Sequence, residues 1–181
     1  MLTRWRKISE EILYGNNHWK YKLDKFEIPG KTTGEYHYVH TNGSTLIIPF
    51  LSDGKILLVN QYRYLIDEEV LEFPCGVLEE GFSPEENARK ELREETGYDA
   101  SHFLFVGEFI PYSGVSDEIS YVFLAKDLFP NSLPADDTEE FELLEITIDE
   151  FERMISSNKI KDGMTLAAWQ LAKPHINDFL K

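Results

Sequence analysis

The chain has 181 residues, 42% of them hydrophobic and 13% aromatic, which suits one folded domain with a substantial core and excludes disorder. Its 18 basic and 33 acidic residues leave a net charge of −15, which argues against nonspecific nucleic-acid binding and opposes entry of an anionic substrate. Cys75 is the single cysteine, so no internal disulfide framework or cysteine zinc cluster is expected, and the polar opening Met1–Glu10 shows no signal peptide or membrane span, which makes a cytoplasmic protein the expectation.

In chain order, His18–Ile28 and Glu35–Thr41 read as aromatic-rich strands parted by a Pro29-Gly30 turn, and they predict a small separate antiparallel sheet. Ser44–Leu51 and Lys55–Tyr64 flank Ser52-Asp53-Gly54, a hairpin signal. Leu71-Glu72-Phe73-Pro74-Cys75-Gly76 is a short apolar strand running into a proline-glycine break. Ser83-Pro84-Glu85-Glu86 then carries a hydroxyl N-cap, proline at the first helical position and a capping-box glutamate. With Gly97 as the stop, the spacing predicts a helix from Pro84 to Thr96. Phe103–Ile110, Ser120–Ala125 and Phe141–Ile148 read as strands, and Asp149–Ser157 and Met164–Leu171 as helices, the first capped near Thr147. Strands followed by helices that must cover both faces indicate an α/β class, an α/β/α sandwich with a mixed sheet. The division expected is an N-terminal β-sheet element, 1–42, and a main domain, 43–181.

The predicted helix places Glu91 and Glu95 one turn apart on one face, with Glu94 beside them. Like charges at that spacing repel, and carboxylates in the last turn face the negative end of the helix dipole. Elsewhere on the helix Glu85 can pair with Arg89, Glu86 with Lys90, and Lys90 with Glu94, so a solvated acidic face and an oxygen-ligated cation site stand as alternatives. The glycine-bounded loop before the helix can fold back and bring backbone carbonyls to the carboxylates. The five histidines, His18, His37, His40, His102 and His175, show no catalytic spacing, and none is assigned a role.

From Gly76 to Tyr98 the chain resembles the Nudix box, G-x5-E-x7-R-E-U-x-E-E-x-G-U with U apolar, through Gly76, Glu91, Leu92, Glu94, Glu95, Gly97 and Tyr98. Phe82 stands where the first glutamate of the pattern belongs, and Lys90 replaces its arginine. The two positions pair in the family, so Lys90 is left without its usual partner, and Glu86 is a candidate replacement. Phe82 has a second reading as a hydrophobic staple onto Asn87 or Ala88.

Over roughly Tyr14 to Leu171 the chain is similar to the ADP-ribose pyrophosphatase branch, through Gln61-Tyr62-Arg63-Tyr64, Leu71–Gly76, Ser113–Glu118 and Ile160–Ala168. A proline of that branch's Ser-Pro-Gly loop is replaced by Ser113, which leaves GDP-mannose and ADP-glucose as alternative substrates. The resemblance implies a Nudix-type sandwich and a homodimer built through residues 1–42. It implies Mg2+, with Mn2+ as the alternative, held by Glu91, Glu94, Glu95 and the Cys75 carbonyl. It implies a general base in the acidic loop Asp136-Asp137-Thr138-Glu139-Glu140, with Glu139 first and Glu118 as the other candidate. Trp19 and Tyr36 occupy the places of adenine-stacking aromatics, with ordinary packing as the alternative. Arg63 and Glu72 are assigned to the substrate site, Arg63 either on a phosphate or paired with Glu72 as support. The implied reaction is metal-dependent hydrolysis of a nucleotide-sugar pyrophosphate, ADP-ribose to AMP and ribose 5-phosphate. The competing expectation, motivated by Phe82 and Lys90, is a non-catalytic nucleotide-sugar-binding regulatory domain. Neither nucleic acid nor membrane is an expected partner.

Overall fold

The computed structural model describes residues 2–135 and 138–181, so Asp136 and Asp137 of the acidic loop lie outside the described residues. Three antiparallel strands, β1 (Arg6–Gly15), β2 (Lys20–Ile28) and β3 (Thr32–His40), form the N-terminal sheet, with β2 in the middle. Gly30 supplies the left-handed residue of the β2–β3 turn (φ 74°). β1 is exposed along its whole length and so carries no inward apolar face from which to read it. The sheet is tied to the rest of the chain at β3, where Val39 N–H donates to Val115 C=O at 2.8 Å and His40 Nδ1 lies 2.7 Å from Asp117 Oδ2.

Period-two alternation builds the centre. In β4 (Ser44–Pro49) Leu46 and Ile48 point into one core while Ile47 points into another. β4 lies parallel to a later strand, β9 (Ser120–Pro130), in which Val122 and Leu124 face the first core and Phe123 and Ala125 the second. With β7 (Cys75–Val77) and β8 (Tyr98–Phe109) at the edges, both antiparallel to their neighbours, the order is β7-β4-β9-β8, a mixed sheet.

The Ser52-Asp53-Gly54 turn forms, with Gly54 N–H donating to Leu51 C=O at 2.9 Å, but it does not join a hairpin. After one bridge, Phe50 to Ile56, the strands part. Both edges of β4 are already taken by β7 and β9. β5 (Ile56–Arg63) therefore pairs with β6 (Glu68–Glu72) and β10 (Glu142–Ile146) in a second three-stranded sheet, order β10-β5-β6.

Helix α1 (Pro84–Thr96) covers one face of the mixed sheet, burying Ala88 and Leu92 against Ile47 and Phe123. On the opposite face lie α2 (Ile148–Ser156) and α3 (Gly163–Phe179), where Phe73, Phe151 and Trp169 pack ring against ring at 4.8–6.3 Å. α3 continues past the predicted stop at Leu171 and through Pro174, because Ala172 and Ile176 are buried on its second half. That burial offsets the roughly 3 kcal/mol of an interior proline. The fold is thus the expected α/β/α sandwich with an added antiparallel sheet. Among the described residues, no helix is long and apolar enough to cross a membrane.

Leu92 is fully buried and Phe82 is 42% exposed, so they make an instructive pair. Leu92→Ala is expected to cost about 2–5 kcal/mol in urea denaturation. Phe82→Ala should stay within about 0.5 kcal/mol of the parent, and a larger loss would show that Phe82 staples the helix.

Candidate active site

The frame of α1 is set by its ends. Ser83 Oγ accepts from Glu86 N–H at 3.3 Å while Glu86 Oε2 accepts from Ser83 N–H at 2.9 Å, so both halves of the capping box close. Glu86 is thereby committed to the cap. Gly97 ends the helix in the left-handed conformation (φ 78°), its N–H donating to Arg93 C=O at 3.1 Å. Between these caps Glu91, Glu94 and Glu95 face strand β7.

The approach of that strand is close. A Cβ on Gly76 would stand 2.1 Å from Glu91 Cδ, so only glycine leaves room for the carboxylate. Cys75 directs its N–H away from β4 to Glu95 Oε2, at 3.2 Å, and in a strand its carbonyl leaves on the same side. Burial pushes Glu91 up to about 7, with Glu94 and Glu139 adding repulsion and Lys90 opposing it. Burial also holds Glu95 well above the ordinary carboxylate range, and the Glu91 charge adds to the effect. Burial raises the Cys75 thiol as well, so its side chain stays protonated and only its backbone is available to a cation.

Lys90 sits among these acids. Its ammonium is 2.5 Å from Glu94, 3.2 Å from Glu79 and 3.6 Å from Glu91. The lysine therefore has partners, and the carboxylate that faces it from the preceding loop is Glu79, not Glu86. Glu91, Glu94, Lys90, Glu79 and Glu139 line one cleft of about 450 Å³, closed on the far side by Asn17 and His18. The chain leaving β9 is pinned to the end of α1: Asn131 N–H donates to Gly97 C=O at 2.9 Å and Arg93 Nε to Asn131 C=O at 2.9 Å.

The other expected residues are distributed around this cleft. Arg63 forms a two-pronged pair with the buried Glu72, with Nε 2.7 Å from Oε1 and Nη2 on Oε2. The pair lines a neighbouring hollow of about 440 Å³, which meets the acidic cleft at Cys75. Trp19 is exposed beside His18 and leans on Tyr14, ring centroids 5.8 Å apart. Tyr36 and Glu118 fall together elsewhere, in a depression of about 370 Å³ beside the 110–119 loop. Glu118 there accepts a hydrogen bond from Ser44 Oγ at 2.8 Å. Of the two candidate bases, Glu139 and not Glu118 shares the cleft with Glu91. Sequence reasoning passed over Asn17, His18 and Glu79; the first two lie in a turn tied by Asn16 Oδ1, which accepts from Trp19 N–H at 2.9 Å, far from the helix in sequence.

Carboxylates and a backbone carbonyl are the donors a hard divalent cation takes, so the residues present suit Mg2+ or Mn2+. Among the described residues no three such side chains are already drawn together as a closed metal cage; the Lys90 ammonium stands among them instead.

An α/β/α sandwich that sets paired helix carboxylates against a glycine strand, with further acids across the cleft, defines an acidic cleft of the kind that takes a divalent cation. The sequence model of the NUDIX domain matches residues 40–165. The chain is 32% identical to the methanol dehydrogenase activator of Bacillus methanolicus over 91% of its length and 90% of that protein. It is also 32% identical to the GDP-mannose pyrophosphatase of Yersinia enterocolitica, over 97% of this chain and 98% of that one. With the ADP-ribose pyrophosphatase of Bacillus subtilis the identity is 29%, over 91% and 90%. The fold is similar to a crystal structure of an ADP compounds hydrolase, with TM-score 0.87, 19% identity, and coverage of 99% of this chain and 97% of that one. The chain belongs to the NUDIX domain family and is a Nudix hydrolase.

A carboxyl whose native pKa lies above its unfolded value keeps its proton longer when folded. Stability from Glu91 therefore falls as pH rises from about 4.5 through about 7, and Glu95 acts in the same direction. In EDTA at pH 8, Glu95→Gln is expected to stabilise the protein against urea by about 1–3 kcal/mol. The gain should vanish near pH 5. An equal gain at both pH values would mean that the Glu95 charge is not the cause.

Proposed function

We propose that the protein hydrolyses the pyrophosphate bond of a nucleoside diphosphate sugar, with ADP-ribose first among the candidates, giving AMP and ribose 5-phosphate. The observation that carries this is the set of helix carboxylates at the Gly76 strand: Glu91 is buried under Gly76 and lines the cleft with Glu94, while Glu95 meets the Cys75 N–H one turn on. Such a set is stabilised by a divalent cation, and Mg2+ is the ion proposed. Glu91, Glu94, Glu95 and the Cys75 carbonyl would hold it, where it would screen the phosphates and acidify a water. Glu139 then takes the proton from the attacking water, whose oxygen forms a bond to phosphorus as the bridging P–O bond breaks toward the departing phosphate ester. Arg63, held by Glu72 through Nε and Nη2, is the residue proposed to share its remaining N–H groups with a phosphate in the neighbouring hollow. Trp19, beside the cleft-lining His18, is the aromatic proposed to stack on the base.

Two relatives are named for hydrolysing ADP-ribose and GDP-mannose, which supports a nucleotide sugar as substrate here. The relative named as an activator gives a regulatory role its own support. A homodimer through residues 1–42 is part of the proposal, because Ile8, Ile12 and Tyr14 are exposed on β1 and Trp5 is exposed just before it. The cytoplasm is its proposed location.

The deciding measurement is phosphate release from ADP-ribose, GDP-mannose and ADP-glucose, coupled to a phosphatase, with and without Mg2+ or Mn2+. ADP-ribose turnover that needs the metal is expected, and Glu95→Gln should lower kcat by about 10²–10⁴-fold. ADP-ribose binding without turnover of any of the three sugars would sink the hydrolytic reading in favour of the regulatory one.

A further inference from the structure

Among the described residues Lys90 is the cation paired within the cluster of Glu91 and Glu94, and what holds it decides what those carboxylates can do. An ammonium bound only by Glu91 and Glu94 would neutralise two of the oxygen donors intended for a divalent cation. A third acid that shares the ammonium with Glu94 holds it away from Glu91, at 3.6 Å, and leaves that donor usable. Phe82, at the helix entry, has no charge to offer, and its side chain belongs to neither buried core. Glu79 supplies the charge from three residues earlier, at 3.2 Å from Lys90 Nζ.

The backbone at Glu79 is built for this. Its N–H donates to Asn87 Oδ1 at 3.0 Å, and Asn87 Nδ2 donates in turn to Thr45 Oγ1 at 2.9 Å. Asn87 and Thr45 are both fully buried, so the loop is anchored through α1 to the central strand β4. On either side, Leu78 N–H donates to Gly43 C=O at 2.9 Å and Phe82 N–H to Glu79 C=O at 3.2 Å. Gly81 takes the left-handed conformation (φ 91°) that lets the turn close. Three anchors on five residues fix the point from which the Glu79 carboxylate reaches into the cleft.

We propose that Glu79 is a positioning residue of this Nudix hydrolase: by sharing the Lys90 ammonium with Glu94 it keeps Glu91 open to a divalent cation, replacing the acid that Phe82 does not provide. The inference rests on the metal-dependent reading of the cleft given above.

The test uses the full chain and Mn2+ as a probe, counted as free ion by electron paramagnetic resonance without substrate. Glu79→Gln is expected to weaken Mn2+ binding about tenfold, the scale of one charge-assisted contact. Lys90→Gln removes the competing cation, and adding Glu79→Gln to it should then change Mn2+ affinity by less than about twofold. In turnover assays Glu79→Gln should raise the Mg2+ concentration for half-activation by a similar factor while kcat at saturating Mg2+ falls less than about threefold. Unchanged Mn2+ affinity in Glu79→Gln, or an equal loss in the Lys90→Gln background, would overturn the proposal. Mn2+ binding that follows the expected cycle with no turnover of any sugar nucleotide would uphold Glu79 and overturn the hydrolytic reading alone.

Discussion

The close approach of β7 to α1 at Gly76 is the constraint on which the rest of the site depends. With no side chain there, the strand presses to within a Cβ's reach of Glu91, and the neighbouring Cys75 N–H meets Glu95. That contact removes water from two carboxylates one turn apart, which is why both titrate above the ordinary range. Hydrophobic packing provides the force that holds the arrangement: Ala88 and Leu92, on the same helix, are buried against Ile47 and Phe123. The apolar stripe of α1 thus fixes an acidic stripe in a place its charges alone would not choose.

How much of this was legible in the sequence follows from the range of each interaction. The bounds of α1 could be read to the residue because its caps are local, Ser83 with Glu86 and Gly97 with Arg93. The β4–β5 turn was equally local and equally readable. The strands' separation into two sheets was not, because it depends on β9 claiming an edge of β4 from more than seventy residues away. β1 escaped notice for another reason, since a strand exposed on every residue shows no alternation of burial.

The site divides the same way. Glu91, Glu94 and Glu95 were visible as a spacing on one helix. Glu139 and Glu118 were both candidates from the sequence; that Glu139 lines the cleft of Glu91 while Ser44 holds Glu118 in a different hollow was not visible there, because it depends on contacts between distant segments. Of the two helix partners that spacing offers Lys90, Glu94 forms the pair and Glu86 does not, because a capping-box glutamate is already committed to a backbone N–H. The loop behind the cap supplied the charge instead.

The cations near the cleft make a further point about substrate entry. Arg63 and Lys90 are both already bound to carboxylates, Arg63 to the buried Glu72 and Lys90 to Glu79 and Glu94. In a chain of net charge −15, neither offers an unspent positive charge to a pyrophosphate. A phosphate that engages Arg63 must share or displace a carboxylate that would otherwise be left buried and unpaired, at a cost of several kcal/mol. A divalent cation changes that balance, because it adds charge where Glu91 and Glu95 already lack it and draws the phosphates in without uncovering Glu72. Metal binding before substrate binding is the order this charge distribution favours.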